Sequence, residues 1–283
     1  LGEALHRDLV HHCETHGIQF LSTPFDLKSL EFLVRQLDLP RIKLSSGEIT
    51  NAPLLLKSAR ARKQILLSSG MATLGEIESA LGVLAFGLLQ KKEAPTIKNF
   101  QSSFCLEEGQ SALRKFVTLL HCTTEYPAPL ENVNLNVLDT LRSAFGLKVG
   151  YSDHTTGIVA SVAAVARGAQ VIEKHFTLDS DLDGPDHRSS LEPEEFESMV
   201  NAIRQCELIM GSSRKIPTVG EMKNKIVVRK SLVAARDISK GEVFSEENLT
   251  SKRPGEGLSP MNLWDVLGKI SPRSFSADEP ISL

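Results

Sequence analysis

The chain has 283 residues, 41% of them hydrophobic and 24% charged, with a net charge of −3. Those values suit a globular enzyme built as one large domain, or as one domain plus a small module. The slight negative charge gives no electrostatic basis for binding nucleic acid or an anionic membrane surface. No apolar run approaches the roughly 20 residues needed to span a bilayer.

The first stretch, Leu1 to Cys13, is mixed and polar, without the apolar centre of a signal peptide, and Glu3 to Thr15 reads as a helix. Cys13, Cys105, Cys122 and Cys206 lie far apart with no CxxC pair. They read as free thiols of a cytoplasmic protein. One pattern then recurs: a short apolar run of β-forming residues ends in small polar or charged residues, and a helical stretch follows. The six candidate strands are Ile18 to Thr23, Arg41 to Glu48, Gln64 to Met71, Val117 to Thr123, Leu147 to His154 and Ala169 to Phe176.

Between these runs the period changes to that of a helix. Ile77, Leu81, Leu84 and Leu88 form one apolar stripe, preceded by a capping box at Thr73 and Glu76. Ile158, Val162 and Val165 form another, which Gly168 ends. Pro193-Glu194-Glu195 suits a first helical turn, where proline loses no hydrogen bond and acids meet the dipole. Lys91 to Gly109 is polar, breaks at Pro95 and reads as an insertion.

Strands alternating with helices predict parallel β/α units, and strands apolar nearly throughout predict burial on both faces. A (β/α)8 TIM-type barrel fits best, because the polar residues gather at strand C-terminal ends. A doubly wound open sheet is the runner-up, weakened by the lack of a GxGxxG motif. Six units where a closed barrel needs eight predict that the first two β/α units are absent. Residues 1–211 are therefore expected to form the barrel domain, 212–225 a linker, and 226–283 a small, mostly β second domain.

The chemistry gathers at the strand ends. Gly150 to His154 and Val171 to Phe176 each finish a predicted strand with a histidine. Adjacent strands lie about 4.8 Å apart, so His154 and His175 can share one metal ion; two separately hydrogen-bonded rings is the alternative. Glu173 and Asp153 read as supporting residues. Asp186, after Gly184-Pro185, can ligate the metal, bind sugar hydroxyls or sit in a solvated turn. Lys43, Ser46 and Glu48 place a cation, a hydroxyl and a carboxylate at one strand end, suited to an anionic ligand and to acid/base work, or to a salt-bridged strand end. Ser68-Ser69-Gly70 precedes a helix N-terminus and offers backbone N–H groups to phosphate. Thr124 and Tyr126 follow His121 and Cys122 as candidate ligand contacts.

Eight motifs resemble the sialic acid synthase family, of the N-acetylneuraminate and legionaminate synthase type. They are Leu21-Ser-Thr-Pro-Phe-Asp26, Ser46-Gly-Glu-Ile-Thr-Asn-Ala-Pro-Leu54, Leu67-Ser-Ser-Gly-Met71, Leu120-His-Cys-Thr-Thr-Glu-Tyr-Pro-Ala-Pro129, Gly150-Tyr-Ser-Asp-His-Thr155, Ile172-Glu-Lys-His-Phe-Thr177, Gly184-Pro-Asp-His187 and Lys252-Arg-Pro-Gly-Glu-Gly257. They run in the family's order across nearly the whole chain.

The resemblance implies a (β/α)8 barrel followed by an antifreeze-like SAF domain. It implies condensation of phosphoenolpyruvate with an N-acylated amino-sugar aldehyde, either N-acetylmannosamine or a diacetamido-trideoxyhexose, to a nine-carbon sialic acid and phosphate; the alternatives are a related phosphoenolpyruvate-condensing keto-deoxy sugar acid synthase and a non-catalytic carbohydrate-binding or scaffold protein. His154 and His175 are then the ligands of a divalent metal, with manganese expected and magnesium or cobalt as alternatives. Thr23, Lys43, Ser46, Ser68 and Ser152 match residues that hold phosphoenolpyruvate. Glu48 matches a catalytic carboxylate, and Asp186 lies beside the metal and the sugar. Tyr126 matches a sugar contact, while Thr124 departs from members with asparagine there. The family further implies a homodimer in which Arg253 serves the partner's sugar site, with neither nucleic acid nor membrane as partner.

Overall fold

The computed structural model describes residues 2–283. The chain divides into two compact units, Leu1–Gly211 and Ser212–Leu283.

In the first unit, α1 (Glu3–Thr15) precedes α2 (Leu27–Glu31), whose N-terminus Asp26 caps by accepting from the backbone N–H groups of Lys28 and Ser29. Then follow β1 (Arg41–Leu44), α3 (Ala52–Arg60), β2 (Gln64–Ser68), α4 (Leu74–Leu88), α5 (Ile97–Cys105), α6 (Glu107–Phe116), β3 (Val117–Cys122), α7 (Val137–Phe145), β4 (Lys148–Asp153), α8 (Val159–Ala166), β5 (Ile172–Lys174) and α9 (Pro193–Met210). Thr73 and Glu76 form the expected capping box of α4, Pro193 opens α9, and Gly168 after α8 takes φ +87°, in the left-handed region.

The five strands are parallel and lie in chain order, β1-β2-β3-β4-β5. Ile42, Leu44, Ile65, Leu67, Val117, Leu119, Val149 and Tyr151 share one core with side chains of α3, α4, α7 and α8. The helices between strands therefore cover one face of the sheet. A doubly wound sheet would reverse its strand order and carry helices on both faces, so that alternative is excluded. Each fully buried leucine or isoleucine of this core contributes about 1.5–3 kcal/mol.

The opposite face is concave. Alternation along the strands turns Lys43, Ser68, Leu120, Cys122, Ser152 and Glu173 to it. Lys43 Nζ lies 3.2 Å from Glu173 Oε1. In a flat sheet β1 and β5 would be roughly 19 Å apart, farther than the two side chains reach together. The sheet therefore curls into a half-barrel.

Three expectations need correction. Ile18 to Thr23 is not a strand: no ladder pairs it, Ile18 is exposed, and Phe20 packs instead against a small cluster around Phe32, Leu33 and Leu39. The described residues thus give five parallel strands, not six. Lys91 to Gly109 is no bare insertion, because α5, capped by Thr96, lies within it and packs Phe100 and Phe104 on the core.

The third correction concerns the second unit. Residues 212–225 are not all linker, since Thr218 and Glu221 form a capping box that starts α10 (Val219–Val228). Beyond it, β6 (Ser231–Ala234) and β7 (Leu249–Lys252) pair antiparallel. Single bridges Val233–Pro280, Ile238–Phe275 and Val243–Ile270 extend the β character. Leu232, Ile238, Phe244, Phe275 and Ile281, with Val266 of α11 (Leu263–Val266), form its core. No described helix of either unit is long and apolar enough to cross a membrane.

Glu242 ties the loops of this unit together, accepting from Ser239 N (3.0 Å) and Asn248 Nδ2 (3.1 Å) and pairing with Arg236 (2.8 Å). The Ser239 backbone N–H, then Arg236 and Asn248, pull its carboxyl from 4.5 down to about 2. A depressed carboxyl pKa stabilises the fold above the unfolded value and loses that contribution as pH falls through the folded value. Glu242→Gln is expected to melt below the wild type at pH 7, and the gap should narrow as pH falls from about 4.5 toward 2. Thermal unfolding across that range checks it.

Candidate active site

The end of the sheet at β4 and β5 builds the site. In register, Ser152 stands opposite Glu173 and Asp153 opposite Lys174. Ser152 and Glu173 face the concave side, and two residues further along each chain segment His154 and His175 do the same. Their ring centroids lie 5.5 Å apart.

His154 is buried, and its Nδ1 lies 2.7 Å from the Thr123 carbonyl oxygen. A carbonyl only accepts, so Nδ1 carries the proton and Nε2 keeps its lone pair. Burial pushes this imidazole below its ordinary pKa; the Thr123 bond opposes that shift and the nearby His175 ring adds to it. Nε2 faces Ser152 Oγ at 3.3 Å, but that hydroxyl donates its one proton to Glu173 Oε1 at 2.6 Å. The Nε2 lone pair is thus open to an electrophile. Tyr126 stacks tilted on His154, with centroids 4.2 Å apart, and stands edge-on to His175 at 5.6 Å. Burial raises its phenol pKa, with Cys122, Asp186 and Glu173 adding to the effect. Asp186 Oδ2 lies 3.9 Å from His175 Nδ1, an ion-pair distance too long for a hydrogen bond.

A second cluster lies toward β1 to β3. Ser46 Oγ accepts from the Gly70 backbone N–H at 2.9 Å and lies 3.1 Å from Cys122 Sγ. Ser68 Oγ is buried with no hydrogen-bond partner among the described residues. A Cβ on Gly70 would fall 2.4 Å from Thr124 Oγ1, 2.7 Å from Cys122 Sγ and 2.8 Å from Ser46 Oγ. Absence of a side chain at Gly70 is what lets these three polar groups converge.

The expected site residues therefore separate. His154, His175, Tyr126, Ser152 and Asp186 gather at one end, and Lys43 joins them through Glu173. Ser46 and Thr124 meet at Gly70, and Ser68 lies on the same concave face. Glu48 is half-buried and accepts from Asn51 Nδ2 at 2.6 Å, its one described side-chain bond. Thr23 is half-buried before α2. Arg253 is exposed and belongs to the second unit, just after β7.

Glu173 is more central than its reading as a supporting residue allowed, since it takes both Ser152 and Lys43. Its signal was present: Glu173 and His175 are two residues apart and share a face. Cys122 was named only as a neighbour of the motif, yet its thiol contacts Ser46. Among the described residues, no three His, Cys, Asp or Glu side chains converge on one point.

The NeuB family profile matches residues 1–215, and the SAF domain profile matches residues 229–283. The chain belongs to the NeuB family. It is 51% identical over 276 residues to N,N'-diacetyllegionaminic acid synthase of Campylobacter jejuni, covering 98% of this chain and 75% of that protein. It is 40% identical to the enzyme of the same name from Legionella pneumophila, covering 92% of this chain and 67% of that one. The crystal structure of N-acetylneuraminic acid synthetase from Leptospira borgpetersenii, in complex with citrate, superposes with a TM-score of 0.65 at 30% identity, covering 79% of this chain and 69% of that one. The resemblance drawn from the eight motifs is therefore correct, and this NeuB-family chain is an enzyme of the sialic acid synthase type.

Gly70→Ala would fill the space shared by Ser46, Cys122 and Thr124. Overpacking of this kind costs about 1–3 kcal/mol, and thermal unfolding should show a loss of that size.

Proposed function

We propose that this NeuB-family chain condenses phosphoenolpyruvate with an N-acylated amino-sugar aldehyde, giving a nine-carbon sialic acid and phosphate. The observation that carries the reading is the concave face itself. A buried lysine, the unpaired Ser68 hydroxyl and the Ser46 hydroxyl, suited to a phosphorylated carboxylic acid, share that face with two imidazoles, one of which keeps an open lone pair. Of the two acceptor sugars, the diacetamido-trideoxyhexose that leads to a legionaminate is favoured over N-acetylmannosamine. The 51% identity to a diacetyllegionaminic acid synthase supports this choice.

The two neighbouring imidazoles offer a partial donor set for a divalent cation, with manganese expected and magnesium or cobalt as alternatives. Burial lowers the His154 pKa and so favours the neutral imidazole that metal ligation requires. His154 and His175 would hold the ion, with Asp186 beside them and the remaining positions left to water or substrate oxygens. When bound, such an ion supplies Lewis-acid polarisation of the aldehyde oxygen.

The chain's own residues do the rest. Lys43, Ser46, Ser68, Ser152 and Thr23 hold the phosphate and carboxylate of phosphoenolpyruvate. Tyr126 and Thr124 border the sugar. C3 of phosphoenolpyruvate attacks the aldehyde carbon, water adds at C2, and the C–O bond to phosphate breaks. Holding both substrates on one face removes much of the entropic barrier. Glu48, fixed by Asn51, is the candidate for proton transfer during water addition. In the same reading the curled sheet belongs to a closed (β/α)8 barrel, the protein works as a homodimer, and Arg253 of one chain serves the sugar site of the other.

The test incubates the protein with phosphoenolpyruvate, manganese and each amino-sugar, follows phosphate release and identifies the product by mass. Release with the diacetamido-trideoxyhexose and a nine-carbon acid of matching mass is expected; no release with any amino-sugar would overturn the reading. His154→Ala and His175→Ala should each lower turnover by at least about a hundredfold. Arg253→Ala should raise KM for the sugar by about tenfold, the loss of one charge-assisted hydrogen bond, and leave KM for phosphoenolpyruvate unchanged. Steady-state kinetics with either substrate varied checks both.

A further inference from the structure

Behind the two histidines lies a charged pair that faces away from the concave surface. Asp153 is fully buried and the Lys174 side chain is 1% exposed. Lys174 Nζ lies 3.1 Å from Asp153 Oδ2, and the two residues are directly opposed in the β4–β5 register. The rest of their bonding capacity is filled locally. Asp153 Oδ1 accepts from Thr155 N and Thr155 Oγ1, each at 2.8 Å, and Oδ2 accepts from Ser161 Oγ of α8 at 2.6 Å. Lys174 Nζ also donates to the Thr155 carbonyl oxygen. Neither side chain reaches the face where a ligand would sit.

A buried ion pair is seldom the most stable filling for such a position, because apolar residues of similar volume often do as well or better. What it supplies here is register. β5 is three residues long and meets β4 at three positions, with two further backbone bonds just before it, Gln170 N–H to the Val149 oxygen and Tyr151 N–H to the Val171 oxygen, at 2.8 Å each; a ladder this short gives side chains a share in fixing the register. A slip of one residue turns every side chain of a strand to the opposite face. It would send Glu173 and His175 under the helices, bring Lys174 to the concave face, and leave Asp153 buried without its cation. Each member of the pair directly precedes one of the two histidines. Thr155, bound by both members, and the Ala128 N–H on the His154 carbonyl (2.9 Å) then fix the backbone around the first ring.

We infer that Asp153 and Lys174 are positioning residues that lock the β4–β5 register and so set the separation and facing of the His154 and His175 imidazoles. The inference rests on the proposed role of those imidazoles as a cation site. It assigns the pair no contact with substrate or cation.

The test compares wild type, Asp153→Leu/Lys174→Met and Asp153→Asn in the full chain, with three readouts. These are Mn2+ binding followed by electron paramagnetic resonance, the His154 Nδ1 proton followed by histidine-selective 15N NMR, and steady-state kinetics. The apolar double variant is expected to keep its melting temperature close to that of the wild type. It should lose about tenfold or more in Mn2+ affinity, and its kcat should fall about a hundredfold. Its His154 Nδ1 proton signal, fixed in the wild type by the Thr123 carbonyl, should shift or broaden away.

A folded double variant with wild-type Mn2+ affinity and an unchanged His154 signal would overturn the inference. Should the double variant not fold, Asp153→Asn decides. It keeps the side-chain size and the oxygen that takes Thr155 while removing the charge facing Lys174. A weakened Mn2+ affinity and a shifted His154 signal support the lock, and wild-type values for both overturn it. Wild-type protein that binds no Mn2+ would sink the cation reading, and the register claim would then stand or fall on the NMR signal alone.

Discussion

The contact between Lys43 and Glu173 joins the first strand of the sheet to the last. Five parallel strands in chain order can lie open or curl, and this ion pair at 3.2 Å exists only when they curl. Curling turns a row of inward side chains into a set that faces itself. Through Glu173 the pair reaches Ser152, and through Ser152 it touches His154. The lysine side and the imidazole side of the concave face are thereby one connected polar system, not two neighbouring patches.

The two sides of the sheet carry different tasks. Toward the helices, alternate residues of β1 to β4 are apolar and fill the core with α3, α4, α7 and α8. Toward the concavity, the same strands present lysine, serine, cysteine and histidine. Besides His121, whose ring bonds the Val133 carbonyl, the exception on the helix side is Asp153–Lys174, a desolvated charged pair where apolar residues would have packed. Buried charge of this kind is costly unless each lone pair and proton finds a partner, and Thr155 and Ser161 meet most of that need.

Much of this was legible from the sequence. Strand alternation alone puts Ser152, His154, Glu173 and His175 on one face once the strands are recognised, and the capping signatures at Thr73 and Pro193 mark real helix starts. The failures have physical causes. Ile18 to Thr23 has the composition of a strand, but composition does not say whether a neighbouring ladder exists. The polar run around Pro95 hid α5, although Thr96 as a cap and Phe100 with Phe104 at helical spacing carried the signal. Thr218 and Glu221 likewise marked a helix inside a stretch that glycine and proline made look like a linker. The Asp153–Lys174 pairing is different in kind, because register between strands far apart in sequence is a tertiary property that no local pattern encodes.

The shared carboxylate of Glu173 has one more implication. With Lys43 nearly sealed from solvent, the ammonium group rests against an internal acid, not against water. An anion approaching this ammonium would not meet a bare positive charge; it would have to displace the resident carboxylate. Once a guest holds the ammonium, the freed carboxylate has only the Ser152 hydroxyl left, and its negative charge then bears on the nearby His154 ring. An anion at one end of the concavity would in this way alter the charge balance at the other.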